Sequence, residues 1–194
     1  MAKNLTQNKD FEFWDKIQYL FSDSNLFFEN LRYENGIKNA VIMYCIVGLF
    51  VSAASFLFSF TLGRMAGGMS GIFKLSYGFM FFPIFGFVFG LIMTFVYSGL
   101  VHMLVIAFKG QGTFADTYKA YAYSMIPSSI LSIIPFIGFF SIIYSYFLMI
   151  IGVSKLHNIS KGYSALACLL PVILVFGLLI YLVIVIIFRF SHYF

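Results

Sequence analysis

Hydroxyl and imidazole side chains recur inside the long apolar segments of this chain, and they are its first candidates for chemistry. His102 lies near the end of the second segment, and Tyr123, Ser124, Ser128 and Tyr144 follow in the third and fourth. Such groups can line a polar groove for an ion, a small solute or a lipid. They also bond across helices or back to their own backbone, so both interpretations remain open.

The sequence does not indicate a catalytic or cofactor-binding arrangement. We find no nucleophile–base pair and no metal-ligand spacing. Gly110-Gln-Gly112 lacks the lysine–serine ending of a nucleotide-binding loop. We place His157 in a loop and His192 in the far tail, across the membrane from it, so the three histidines cannot form one metal site. We therefore expect a protein without enzymatic activity, metal or cofactor.

The composition indicates that lipid is the solvent of this protein. Of its 194 residues, 61% are hydrophobic and only 10% are charged, whereas a soluble domain carries about 25% charged residues. The net charge of +5 comes from basic residues scattered singly between apolar runs. This pattern is typical of anchors at a membrane surface and not of nucleic-acid binding. Cys45 and Cys168 each lie within an apolar segment, and no disulfide framework is indicated.

The apolar runs predict an all-α integral membrane protein with a five-transmembrane-helix bundle, since a bilayer core of about 30 Å needs about 20 helical residues. The membrane domain covers residues 38–190, with spans at about 40–62, 79–108, 114–134, 136–154 and 163–188, followed by a tail of residues 191–194. We place Asp116 and Lys119 at the surface end of the third span. His102 is then the titratable group that we expect within the spans.

Local signals mark where individual spans begin and end. Pro83 fits the first turn of the second span, with residues 75–82 in the membrane interface. Thr113 and Asp116 stand three apart, as in a capping box at the start of the third span. Pro135 indicates a turn between the third and fourth spans. A single kinked helix is the competing interpretation of that region.

Four residues are assigned to helix packing: Gly86, Gly90, Pro127 and Pro135. The two glycines form a small-xxx-small pair in the second span. Such a pair permits close approach of helices, either within the bundle or in a homo-oligomer.

The leader, residues 1–37, contains polar residues and is predicted to form an amphipathic helix. A helix there places Phe13, Trp14, Ile17, Leu20 and Phe21 on one stripe. Such a stripe suits the headgroup layer of the bilayer, and packing against the ends of the spans is the alternative. Aromatic residues at positions 27 and 28 supply a second anchor before the first span.

The distribution of basic residues orients the bundle. With five spans, nine lysines and arginines fall on the side of the amino terminus, Lys109, Lys119, Lys155 and Lys161 among them, and three fall on the other side. Cytoplasmic loops carry the excess of basic residues. The amino terminus is therefore predicted to be cytoplasmic and the carboxyl terminus to lie outside.

Several short motifs resemble those of the Yip family, the Ypt/Rab-interacting integral membrane proteins, in its prokaryotic form. In chain order they are Asp23-Ser-Asn-Leu-Phe-Phe28, Gly110-Gln-Gly-Thr-Phe114, Tyr123 four residues before Pro127, Ile134-Pro-Phe-Ile-Gly138, and Gly152-Val-Ser-Lys-Leu-His157 followed by Ser160-Lys-Gly162. The resemblance covers roughly residues 20–185. It implies a five-helix membrane protein with a cytoplasmic amino end, here in a prokaryotic plasma membrane.

The resemblance also bears on partners, because eukaryotic relatives associate with Rab-type small GTPases and take part in vesicle traffic and organelle shape. This chain departs from them by lacking their long polar leader. We expect a protein that organises membrane or recruits a protein partner through its cytoplasmic face. The predicted partner or lipid contacts are Phe13, Trp14, Phe27, Phe28, Gly110, Gly112, Thr113, Lys155 and His157. The alternative is a small permease, channel or lipid-handling protein that uses the polar groove.

Overall fold

The computed structural model describes residues 13–65, 70–134 and 137–191, and this part of the chain contains helices and turns without a strand. The helices are α1 (Phe13–Ser22), α2 (Ser24–Leu31), α3 (Lys38–Met65), α4 (Ser70–Ala107), α5 (Phe114–Leu131), α6 (Ile137–His157) and α7 (Lys161–Ser191). The prediction of an all-α protein is confirmed. Pro135, together with residues 1–12 of the leader and 192–194 of the tail, lies outside the described residues.

Four of these helices are long and apolar enough to cross a membrane. The qualifying segments are Lys38–Phe58 of α3, Phe85–Ala107 of α4, Phe140–His157 of α6 and Lys161–Arg189 of α7. At 1.5 Å per residue, each supplies roughly 27 Å or more of helix, close to the thickness of a bilayer core. The chain is therefore an integral membrane protein whose apolar helices contact lipid.

The helix that contains the second predicted span begins earlier in the structure than the sequence indicated. We expected a helix from about residue 79, with Pro83 in its first turn, but α4 runs without interruption from Ser70. That expectation was wrong because it treated proline as a start signal. Hydropathy alone does not show where an apolar helix begins.

The α5 helix is the polar member of the bundle, and its position explains its composition. It does not qualify as an apolar span, but it packs against α1, α3, α4 and α6. Neighbouring helices therefore shield most of its surface from lipid, and residues 117–120, 122–124 and 126–127 are buried. It is separated from α6 by a turn, so two helices form here and not one kinked helix.

Buried side chains concentrate at one end of the bundle, which we call the packed end. It contains the first residues of α3, α5 and α7 and the last residues of α4 and α6. Its core includes Met43, Val105, Tyr118 and Val153. At the opposite end, large apolar side chains such as Phe188 are 66% exposed. Contacts within the chain thus hold the helices together mainly at the packed end.

Residues 13–37 of the leader are part of the packed end. Asp23 separates the two leader helices and caps α2 by accepting a hydrogen bond from the Leu26 N–H at 3.0 Å. Below this cap, α2 packs along α6 and buries its apolar residues. The buried leader residues are Leu20, Phe27, Phe28 and Leu31.

The predicted role of Phe27 and Phe28 as lipid or partner contacts was wrong. Both rings are essentially unexposed; the Phe27 ring packs edge-on against that of Tyr123 at 5.2 Å. The Phe28 ring lies on Gly152, where an added Cβ would come within 2.7 Å of it. Both aromatic residues therefore anchor the leader to the helix bundle. Phe28 can pack there because Gly152 has no side chain to cover the backbone of α6.

We predict that Gly152→Ala lowers the free energy of unfolding by about 1–3 kcal/mol, the usual effect of overpacking a filled core. The matched control is Gly86→Ala, since an added Cβ at Gly86 meets nothing within 4 Å. That change is expected to stabilise the helix by about 0.5–1 kcal/mol. Denaturation of the purified protein in detergent measures both. Equal effects of the two substitutions would contradict the docking of Phe28.

Candidate functional site

The centre of the packed end is the side chain of Lys119, which is 2% exposed. Its ammonium lies 2.9 Å from Asp116 Oδ1 and donates to the backbone carbonyls of Leu31, at 3.2 Å, and Glu34, at 2.7 Å. Three acceptors match the three donors of an ammonium group. Leu31 is the last residue of α2, so the cation also meets the negative end of that helix dipole.

This placement corrects the prediction that Lys119 is a surface anchor. The residue lies within α5, one turn and a half after the helix begins at Phe114. A buried lysine is stable only when its charge is paired and its protons are bonded. The leader supplies two of the three partners, so α5 and the leader depend on one another.

A second ion pair joins α1 to the segment after α2. Lys16 Nζ lies 2.5 Å from Glu34 Oε2 and 2.9 Å from Tyr123 Oη. Tyr123 donates its hydroxyl proton to Glu34 Oε1 at 3.1 Å. The predicted groove residue Tyr123 therefore binds the leader instead of lining a groove.

The start of α5 is fixed by the predicted capping box, which the structure confirms. Asp116 Oδ2 accepts hydrogen bonds from the backbone N–H of Thr113, at 2.8 Å, and from its hydroxyl, at 2.9 Å. The other oxygen of the same carboxylate pairs with Lys119. One aspartate thus orders the helix start and holds the buried cation.

A chain of hydrogen bonds connects two histidines through Thr117. His157 Nδ1 lies 2.6 Å from the Gln111 carbonyl oxygen; because a carbonyl only accepts, Nδ1 carries a proton and Nε2 of the neutral ring accepts. Thr117 Oγ1, 2.9 Å away, donates to that Nε2. It accepts in turn from His102 Nδ1 at 2.8 Å. The chain ties α4, α5 and α6 to the turn before α5.

The structure corrects the interpretation of both histidines. His157 is the last residue of α6 and fully buried, so it is not a loop contact for a partner. Its ring centroid lies 5.8 Å from that of His102, although the sequence placed the two residues apart. His102 is held by Thr117 and Phe114, whose ring meets it edge-on at 5.9 Å.

The polar turn, residues 109–113, follows α4 and needs glycine at its end. Gly112 has a φ of +107°, and an added Cβ would lie 3.0 Å from His157 Nδ1. Gly112 and Thr113 are exposed, as their predicted role as contacts requires, and Gly110 is half-buried. The turn therefore presents its outer side to the surroundings while its inner side supports the histidine chain.

Contacts at the surface also hold the packed end together. Lys155, another predicted contact, is partly exposed and pairs with Glu29 at 2.5 Å. Arg32 donates to Asn158 Oδ1 at 2.7 Å and to the carbonyl of Lys155. These contacts join the leader to the segment between α6 and α7.

The remaining groove residues contact their own helix or the leader. The hydroxyl of Ser124 donates to the Ala120 carbonyl at 2.6 Å, and that of Ser128 donates to the Met125 carbonyl at 3.0 Å. Tyr144 stacks on Phe21 of the leader. The hydroxyls of the two serines thus bond to the backbone of their own helix, which is one of the two arrangements that the sequence left open.

The predicted packing residues divide between two environments. Pro127 is buried within α5, where the packing assignment places it. An added Cβ at Gly90 would make ordinary contact with Tyr44 Oη at 3.5 Å, whereas Gly86 faces open space. Among the described residues, close approach of helices therefore does not involve Gly86.

The apolar side chains predicted to form one stripe on α1 lie in two different environments. Phe13 and Ile17 are half-buried and pack against the core, as does Leu20. Trp14 is 75% exposed and Phe21 43% exposed. Packing against the bundle thus accounts for the inner half of the stripe and leaves these two side chains outside.

Sequence reasoning missed the residues that organise this site, namely Lys16, Glu34, Thr117 and Lys119. The Asp116–Lys119 spacing of three was a usable signal, since such residues are neighbours on a helix. The partners in the leader are more than eighty residues away and carried no such signal. Among the described residues, no group of three or more histidines, cysteines or acidic residues is placed to hold a metal ion.

These observations define an all-α integral membrane protein whose amino-terminal helices are bound to the bundle through buried charges. Residues 18–184 match the Yip1 domain, and the chain therefore belongs to the Yip1 domain family. No curated protein and no solved structure matches the chain.

We predict that Lys119→Met costs about 3–5 kcal/mol of unfolding free energy, because Asp116 and the carbonyls of Leu31 and Glu34 lose their partner in a buried site. Lys155→Met, at the partly exposed pair with Glu29, is expected to cost about 0–1 kcal/mol. Adding Asp116→Asn to Lys119→Met should recover part of the loss, since the partly buried carboxylate is then no longer left without its cation. Similar costs for the two lysine substitutions would contradict the buried pair.

Proposed function

We propose that this protein is a non-enzymatic, five-span membrane protein that organises membrane or recruits a protein partner through its cytoplasmic face. Family membership and the ordered packed end support the proposal. The observation that carries it is the charged docking of the leader, which brings three polar segments distant in sequence onto one surface.

The five-span topology counts α5 as a crossing, with α3, α4, α6 and α7. Its 18 residues reach roughly 27 Å, close to the thickness of a bilayer core. Its polar residues fit a crossing helix because its neighbours surround it. Removing buried Lys119 from the charge count leaves eight basic residues against three, so the orientation with a cytoplasmic amino terminus is retained.

The cytoplasmic face comprises the end of the leader, the polar turn and the segment between α6 and α7. Tyr33 of the leader is 75% exposed, and Gln111 and Asn158 are exposed in the other two segments. Asn158 bonds to Arg32 and lies 3.4 Å from the Gln111 side chain, so the three segments adjoin. A single partner can therefore contact all of them at once.

Truncating the leader is not a clean test of recruitment, because the leader contributes to the core. We expect instead that a photoreactive amino acid at Tyr33, at Gln111 or at Asn158 captures the same protein in cells. A shared adduct follows from the adjacency of the three positions. Mass spectrometry of the adducts provides the measurement and shows whether a small GTPase is among them.

The control position is Phe147, which is 61% exposed on the apolar surface of α6. The probe there should yield lipid adducts without that protein. Three unrelated adducts, or the same adduct from Phe147, would contradict recruitment by this face.

A further inference from the structure

The α1 helix presents two apolar side chains outward although its inner side is packed. Trp14 is 75% exposed and Phe21 is 43% exposed, whereas Leu20 between them is 1% exposed. We call the side of α1 that carries Trp14 and Phe21 its outer face. An apolar face on a membrane protein must be covered by another apolar group, and the residues around this face indicate which one.

The outer face is continuous with the lipid-facing surface of α6. The Phe21 ring stacks on that of Tyr144, with centroids 6.3 Å apart and planes at 18°. On either side of Tyr144, Ile143 is 51% exposed and Phe147 is 61% exposed, within an apolar candidate span. Lipid that covers this part of α6 therefore reaches the end of α1.

The charges of α1 leave its outer face without a cation for anionic lipid. Lys16 is the basic residue of this helix, and Glu34 neutralises it at 2.5 Å. The same contact, with Tyr123, fixes the orientation of α1 on the bundle. The face is thus presented in one orientation, and apolar burial is what drives its contact with lipid.

We propose that the outer face of α1 lies against the bilayer, with Trp14 next to the headgroups and Phe21 deeper among the acyl chains beside Tyr144, and without preference for anionic lipid. Tryptophan suits this depth because its ring is apolar and its indole N–H remains near polar groups. The inference goes beyond the proposed function and does not depend on any protein partner.

The chain contains a single tryptophan, so the unmodified protein reports directly on this face. The protein is reconstituted in phosphatidylcholine vesicles whose acyl chains carry bromine either near the headgroup or near the methyl end. We expect loss of most of the Trp14 emission with bromine near the headgroup, less loss with the deeper bromine, and little quenching by aqueous acrylamide. Adding phosphatidylserine or salt should leave these values unchanged.

Two probe variants keep the test independent of the native position. Trp14→Phe with Phe21→Trp should give at least as much quenching by brominated lipid as Trp14 does. Trp14→Phe with Gln111→Trp places the probe in the exposed turn, where acrylamide and not brominated lipid should quench it.

Efficient acrylamide quenching of Trp14, with no effect of bromine at either depth, would overturn the proposal and leave this face to water or a protein. Dependence on phosphatidylserine would overturn its apolar basis. Either result leaves the photocrosslinking test of partner recruitment unaffected, so the failure of one proposal is distinguishable from the failure of the other.

Discussion

The buried ammonium of Lys119 is the constraint on which the packed end depends. A charge that is 2% exposed must have its protons bonded and its charge paired. Asp116 provides the charge, and the backbone of the leader provides two carbonyls. The leader must therefore be in place for α5 to carry this residue, and α5 must be surrounded for the charge to be tolerated beside lipid.

Several features of the bundle follow from this constraint. The α5 helix is polar because it lies among four other helices, and the opposite ends of α3, α4 and α7 are apolar on their outer surfaces because lipid surrounds them. Asp116 connects the helix cap to Lys119, and Thr117 on the next turn connects the two histidines. These polar groups thus satisfy one another within the protein.

The sequence predicted the features that depend on local pattern. Hydropathy located the apolar helices, and the Thr113–Asp116 spacing located the start of α5. Hydropathy does not distinguish a residue facing lipid from one facing another helix, so the burial of Phe28 on Gly152 could not be predicted. Nor does it reveal pairing over long separations, which is why the role of Lys119 was missed.

The pairing of Lys119 with the leader requires that the leader is fixed to the end of α6 in the membrane. Glu29 and Lys155 lie 2.5 Å apart across this contact and are both partly exposed. Glu29→Cys with Lys155→Cys, in a protein whose Cys45 and Cys168 are replaced by alanine, should be joined in native membranes by a thiol crosslinker about as long as the lysine and glutamate side chains that it replaces. A cysteine pair at positions 29 and 189, the second near the far end of α7, provides the comparison. Efficient crosslinking of the first pair alone is predicted; no crosslink, or equal crosslinking of both pairs, would contradict the account.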